Sequence, residues 1–121
     1  MADVSAGLEG DTGREAVDLV PYARDAALLM GANVRQARIN RRWTAAELGA
    51  HAGCSRHTVS AIEQGKASVA FGNVLNVCAA LGIPLFVPDR AELARLTRAQ
   101  IELVRLMPER VMPREAPSDE F

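Results

Sequence analysis

The chain has 121 residues, 49% of them hydrophobic, a formal net charge of −1 and two cysteines. That length suits one domain with tails and one modest core, since domains commonly run about 100–150 residues. No apolar run approaches the roughly 18 residues that span a bilayer, and the acidic, polar beginning does not read as a signal peptide, so a cytoplasmic protein is expected, with Cys54 and Cys78 as small reduced hydrophobes.

Residues 1–21 carry scattered glycine and acids with little periodicity, the pattern of a flexible arm. From Tyr22 the pattern turns helical, with Ala26, Leu29, Met30, Val34, Ala37 and Ile39 as the expected buried face of a first helix ending near Arg41. Thr44 to Gly65 then reads TAAELGAHAGCSRHTVSAIEQG. Thr44 and Glu47 have the spacing of a capping box, and Trp43 with Leu48 that of a hydrophobic staple, so a second helix is expected over 45–52. Gly53 ends it, because a turn of about three residues needs a positive φ. Ser55 caps a third helix over 56–64, which turns Val59 and Ile62 inward and leaves Arg56, His57, Thr58, Ser60 and Ala61 on its leading and outer face. Two capped helices separated by a glycine turn are the pattern of a helix-turn-helix, whose second helix lies in the major groove of DNA.

A fourth helix follows, with Val74, Leu75, Val77, Cys78 and Leu81 as its apolar stripe and Gly82 as its stop. Ile83, Leu85, Phe86 and Val87, bracketed by Pro84 and Pro88, read as a short strand. A lone apolar strand leaves its backbone unpaired, so it is expected to pair with the same strand of a second copy across a two-fold axis; the alternative is an irregular connector packed on its own core. Asp89 and Glu92 form a cap-like pair before a helical extension over 89–107, with Leu93, Leu96, Ile101, Val104 and Met107 as packing positions and Thr97 and Gln100 as a possible restart. Prolines at 108, 113 and 117 make 108–121 a flexible tail. The domain proper is thus expected over 22–88.

Charge is sorted along this plan. Residues 1–23 hold five acids against Arg14, whereas 25–88 hold six bases (Arg35, Arg38, Arg41, Arg42, Arg56, Lys66) against three acids. The globular segment is the basic one, as a nucleic-acid binder requires.

The segment from Leu29 to Val87 resembles the lambda-repressor-like, Xre-type helix-turn-helix domains. Arg38, Thr44, Leu48, Ala52-Gly53, Ser55, Val59-Ser60 and Ile62-Glu63-Gln64-Gly65 carry the likeness. Gly65-Lys66, Val69, Gly72, Val74-Leu75, Val77, Leu81-Gly82-Ile83 and the apolar run to Val87 are similar, more narrowly, to HipB-like antitoxins. The resemblance implies an all-α, five-helix DNA-binding domain with one short C-terminal strand pairing across a homodimer. It further implies a repressor of a toxin-antitoxin operon that binds double-stranded operator DNA and neutralises a HipA-like kinase toxin. Arg38 and Glu63 take the family's ion pair between the first helix and the reading helix. Arg56, His57, Ser60 and Ala61 take base-reading positions, with phosphate contact or plain exposure as the alternative for Arg56 and His57. Arg41, Arg42, Thr44, Ser55, Thr58 and Lys66 are left for the DNA backbone. Ala45 and Ala61 depart from the longer polar residues common in relatives. The tail, with Phe121 as apolar anchor, resembles tails that dock on a toxin; plain disorder is the alternative.

Other classes fare worse. His51, Cys54 and His57 recur at three-residue spacing but straddle a turn and lack a fourth zinc ligand, so neither a metal nor another cofactor is expected. With no phosphate-cradling glycine motif and no nucleophile-base constellation, an enzyme is not expected either. A free-standing Xre-type regulator and an interaction module without DNA binding remain as alternatives.

Overall fold

The structure, a computed structural model, describes residues 17–113. The expectations for the arm through residue 16 and for the tail from 114, Phe121 included, lie outside the described residues. The described residues form five helices and no strand: α1 Pro21–Asn40, α2 Ala45–Ala52, α3 Arg56–Glu63, α4 Phe71–Leu81 and α5 Arg90–Arg105. They divide into two compact units, the first ending at Leu85 and the second beginning at Phe86.

In the first unit α1 opens on Pro21, whose fixed φ suits a first helical position and whose missing N–H would have no partner there anyway. Its buried line runs through Gly31 and Val34, with Met30 and Ala37 packed beside it. Leu29, expected inside, is 63% exposed, and Ile39 is exposed as well. Both stand five residues from Val34, about 140° round the helix, and so face the other way. Gly31 falls outside the expected apolar face, yet α3 passes so close that a Cβ there would lie 2.5 Å from the Ile62 carbonyl oxygen and 2.6 Å from that of Glu63.

The capping box forms as its spacing predicts. The Glu47 amide donates to Thr44 Oγ1 at 3.0 Å, and the Thr44 amide donates to Glu47 Oε1 at 2.8 Å. Gly53 turns the chain at φ 79°, a left-handed conformation that costs a residue with a Cβ about 1–2 kcal/mol. Val34, Leu48, Ala52, Val59, Ile62, Val77, Cys78 and Leu81 are buried together, so each of the first four helices contributes to one core. Full burial of one such large aliphatic side chain stabilises the fold by about 1.5–3 kcal/mol. Its contacts tie α2 to α3 and α4, and α1 to α3 and α4.

The strand expected at Ile83, Leu85, Phe86 and Val87 is absent, and the segment is an irregular connection. The Ile83 amide is already engaged, donating to the Cys78 carbonyl at 2.9 Å as α4 closes at Gly82. Pro84 and Pro88 have no N–H, and no other described segment is extended alongside to form a ladder. Ile83 and Leu85 instead pack against the core of the first unit.

In the second unit α5 is a single uninterrupted helix. Thr97 does not cap a restart; its hydroxyl donates to the Leu93 carbonyl at 2.8 Å, one turn back. Asp89 occupies the N-cap position without a side-chain hydrogen bond, and the Glu92 carboxylate, which a capping box would turn back to the Asp89 amide, accepts from Arg95 instead. None of the five expected packing positions is buried.

Candidate nucleic-acid interface

The sequence of α3 fixes which of its sides is free. Val59 and Ile62 enter the core, so Arg56 and His57 on the first turn stand in solvent while Ser60 and Ala61 lie half-buried along the helix. The side chains of Arg56 and His57 make no hydrogen bond to the described residues and are free to reach outward. The hydroxyls expected to join them are partly committed. Ser55 Oγ accepts the Thr58 amide at 3.1 Å and lies 3.1 Å from Thr58 Oγ1, so this pair first of all starts the helix. Ser60 Oγ accepts from Gln64 Nε2 at 3.1 Å. A recess of about 170 Å³ lies beside α3, lined by His57, Thr58 and Ala61 and by Ser68, Val69, Ala70 and Asn73.

The far end of α3 is held by charge. Arg38 Nε donates to Glu63 Oε2 at 2.6 Å and Nη2 to Oε1 at 3.0 Å, while Nη1 donates to the Trp43 carbonyl at 2.9 Å. The two side chains are only 12% and 8% exposed. One planar guanidinium thereby joins α1, the start of α2 and α3, which a lysine's single ammonium could not do with the same geometry. The hydrogen bond to Glu63 holds the Arg38 guanidinium above its ordinary pKa, outweighing the opposing effect of burial. Arg35 Nη1, 3.6 Å from Glu63 Oε1, adds a second cation to which the sequence motifs assign no role. Its place one turn before Arg38 is the available signal.

Around this frame the expected backbone-contacting residues fall into two groups. Arg42 and Lys66 are exposed at the ends of α1 and α3, and Thr44 is exposed at the start of α2, where its hydroxyl still has a proton to donate. Arg41 is placed differently. Its guanidinium stands 5.5 Å from the centre of the Trp43 ring, and Nη2 would lie 3.7 Å from a Cβ on Gly82. Its charge therefore sits beside the C-terminus of α4, where a cation complements the helix dipole. Trp43 is packed on the core and also stacks on His51, with ring centroids 4.1 Å apart and planes 15° from parallel. The staple expected of Trp43 is thus extended by a histidine partner that the sequence did not announce.

Arg42 itself has φ 60°, the one described non-glycine residue in the left-handed region. It ends α1 as a glycine usually would, with its amide donating to the Ile39 carbonyl at 2.9 Å and the Trp43 amide to that of Arg38 at 3.2 Å. Among the described residues no group of three or more His, Cys, Asp or Glu side chains is placed to hold a metal ion, and no helix is long and apolar enough to cross a membrane.

Residues 29–96 match a family described as a helix-turn-helix domain. A protein of Neisseria meningitidis serogroup B named "Neisseria hypothetical transcription factor" is 30% identical over 83 residues, covering 66% of this chain and 78% of its own length. No solved structure matches the chain. With more than half of its length inside the family match and the two capped helices joined at Gly53 at the centre of it, the chain belongs to the helix-turn-helix domain family.

Proposed function

We infer that the protein is a DNA-binding transcriptional regulator that reads a specific operator, and that it has no catalytic role. The observation that carries this reading is the pair Arg56 and His57, exposed and without a hydrogen-bond partner among the described residues, on the leading turn of a helix whose other end is locked to α1 by Arg38 and Glu63. An arginine there has the fork geometry to pair with both major-groove acceptors of guanine, and the imidazole of His57 offers one donor or acceptor to the next base edge. Ala61 presents only a methyl, suited to a thymine methyl. Arg42, Thr44 and Lys66 take phosphates and set the register, which adds affinity without sequence preference. An eight-residue reading helix spans only a few base pairs, so two copies bind successive major grooves about 34 Å apart. Selection from a random duplex pool, followed by footprinting, tests this directly: an inverted-repeat site should be enriched, and a pool that stays random would overturn the reading.

A narrower reading, the antitoxin of a HipA-like kinase that represses its own operon, is supported by the resemblance of residues 65–87 to HipB-like proteins. Co-expression with the product of the adjacent gene tests it. A kinase-like partner that co-purifies and loses activity is the expected outcome, and a chain that purifies alone favours a free-standing regulator.

A further inference from the structure

The second unit carries an apolar face that its own described residues leave open. Phe86 is 84% exposed, and Ile101, Leu103, Val104 and Met107 are each more than half exposed. Phe86, Leu93, Leu96, Thr97, Gln100 and Ile101 line an open recess of about 340 Å³ on this face. At 100° per residue, Leu93, Leu96 and Val104 fall within about 40° of Gln100, and Arg98, Glu102 and Arg105 fall about 140–160° away. Glu102 pairs with Arg105 and Glu92 with Arg95, so the helix satisfies its own charges away from the middle of the stripe.

We propose that this face is a self-association surface: two copies of the chain pack α5 against α5, antiparallel, about a two-fold axis through Gln100. Residue 100 is the midpoint of the stripe. An axis there sets Leu93 against Met107 of the partner subunit, Leu96 against the partner's Val104 and Thr97 against the partner's Leu103. Gln100, alone on the midline as a polar group with both a donor and an acceptor, meets its own copy, and two amides related by a two-fold axis hydrogen-bond reciprocally. A polar residue at such a position fixes the register of a helix pair.

The exposed side chains present on the order of 600 Å² of apolar surface, at the top of the range for the largest patch of a monomer, where such patches are often functional, and approaching the ~800 Å² per partner of a standard interface. A chargeless stripe fits an equally chargeless partner, whereas the acidic segments 1–16 and 114–121 of the chain offer it little. The pairing deepens the two-copy reading of DNA binding and rests on it for its meaning, but its test is made without DNA, so either can fail alone.

Sedimentation of the full chain at tens of micromolar should give twice the 13.0 kDa protomer mass. The double variant Leu96→Glu with Val104→Glu should raise the dimer dissociation constant at least about 100-fold, because two carboxylates would be desolvated in each copy. Its first four helices are untouched, so circular dichroism and the thermal midpoint check that they remain folded. Gln100→Cys should form a disulfide-linked dimer with oxidised glutathione while the wild type, with Cys54 and Cys78 only, does not. A monomeric wild type, or a dimer that survives the double variant and leaves Gln100→Cys uncrosslinked, would overturn the proposal.

Discussion

Arg38 and Glu63 stand 25 residues apart in sequence and meet through two hydrogen bonds, of 2.6 and 3.0 Å, where α1 crosses the end of the reading helix. The same guanidinium also holds the Trp43 carbonyl, so removal of either side chain disturbs three helices at once. Glu63→Ala should destabilise the protein by about 3 kcal/mol, since breaking a buried pair leaves an uncompensated charge. Urea unfolding measures it, and a loss below about 1 kcal/mol would show the pair to be peripheral. Arg38 adds no pH dependence near neutrality. Its raised folded pKa makes its contribution fully present below the ordinary arginine value and lost only as pH rises above that.

Arg42 sits at φ 60° at the end of α1, where a glycine would be unstrained. Arg42→Gly should therefore raise stability by about 1 kcal/mol while weakening DNA binding, with Arg42→Ala weakening binding equally and leaving stability near the wild type. Thermal melts and gel-shift titrations separate the two effects. If Arg42→Gly left DNA affinity intact, the strained arginine would have no role at the backbone.

Gly31 faces the carbonyls of Ile62 and Glu63 at a distance that admits no methyl group. Gly31→Ala should cost about 3 kcal/mol despite the better helix propensity of alanine, because the obstacle is backbone and cannot turn aside. Gly72, with nothing within 4 Å of a Cβ, provides the contrast; Gly72→Ala should stabilise by about 0.5 kcal/mol. Equal effects at the two sites would mean that α1 and α3 readily separate.

Arg56 and Lys66 should behave oppositely on DNA. Arg56→Ala should cost about 1–3 kcal/mol on the best operator and relax preference at one position in each half-site. Lys66→Ala should weaken specific and random duplexes alike and make the salt slope shallower by about 0.9 for each phosphate it no longer neutralises. A uniform loss on every sequence for Arg56→Ala would remove it from the base-reading set.

Burial pushes the thiols of Cys78 and Cys54 above their ordinary pKa. The folded state then holds its protons where the unfolded chain has released them, so stability is full below the ordinary thiol value of about 8.5 and falls as pH rises above it. Under reducing conditions Cys78→Ala should show a smaller drop in thermal midpoint between pH 8 and pH 10 than the wild type. Parallel curves for the two proteins would assign the alkaline loss elsewhere.

The helices were legible because their punctuation is local. Thr44 with Glu47, Gly53 and Ser55 state the two central helices in side chains that act within one turn, and α2 and α3 lie where those residues put them. What failed depended on neighbours. Leu29 and Ile39 match a helical face in composition, but only the position of α3 shows that the buried line follows Gly31 and Val34. The apolar run after Gly82 has strand-like residues, yet its prolines and the engagement of the Ile83 amide leave little backbone to pair. Around α3 the hydrogen bonds of Ser55, Thr58 and Ser60 were partly hidden for the same reason: a hydroxyl's partner is decided in space.

Trp43 is the only tryptophan in the chain; it packs on the core, and its ring has the Arg41 guanidinium over it and the imidazole of His51 stacked on it. The molecule thus carries an intrinsic fluorophore at the joint where α1 hands over to α2, one carbonyl away from the guanidinium that clamps α3. Its emission reports, without any label, whether the platform beneath the reading helix is assembled.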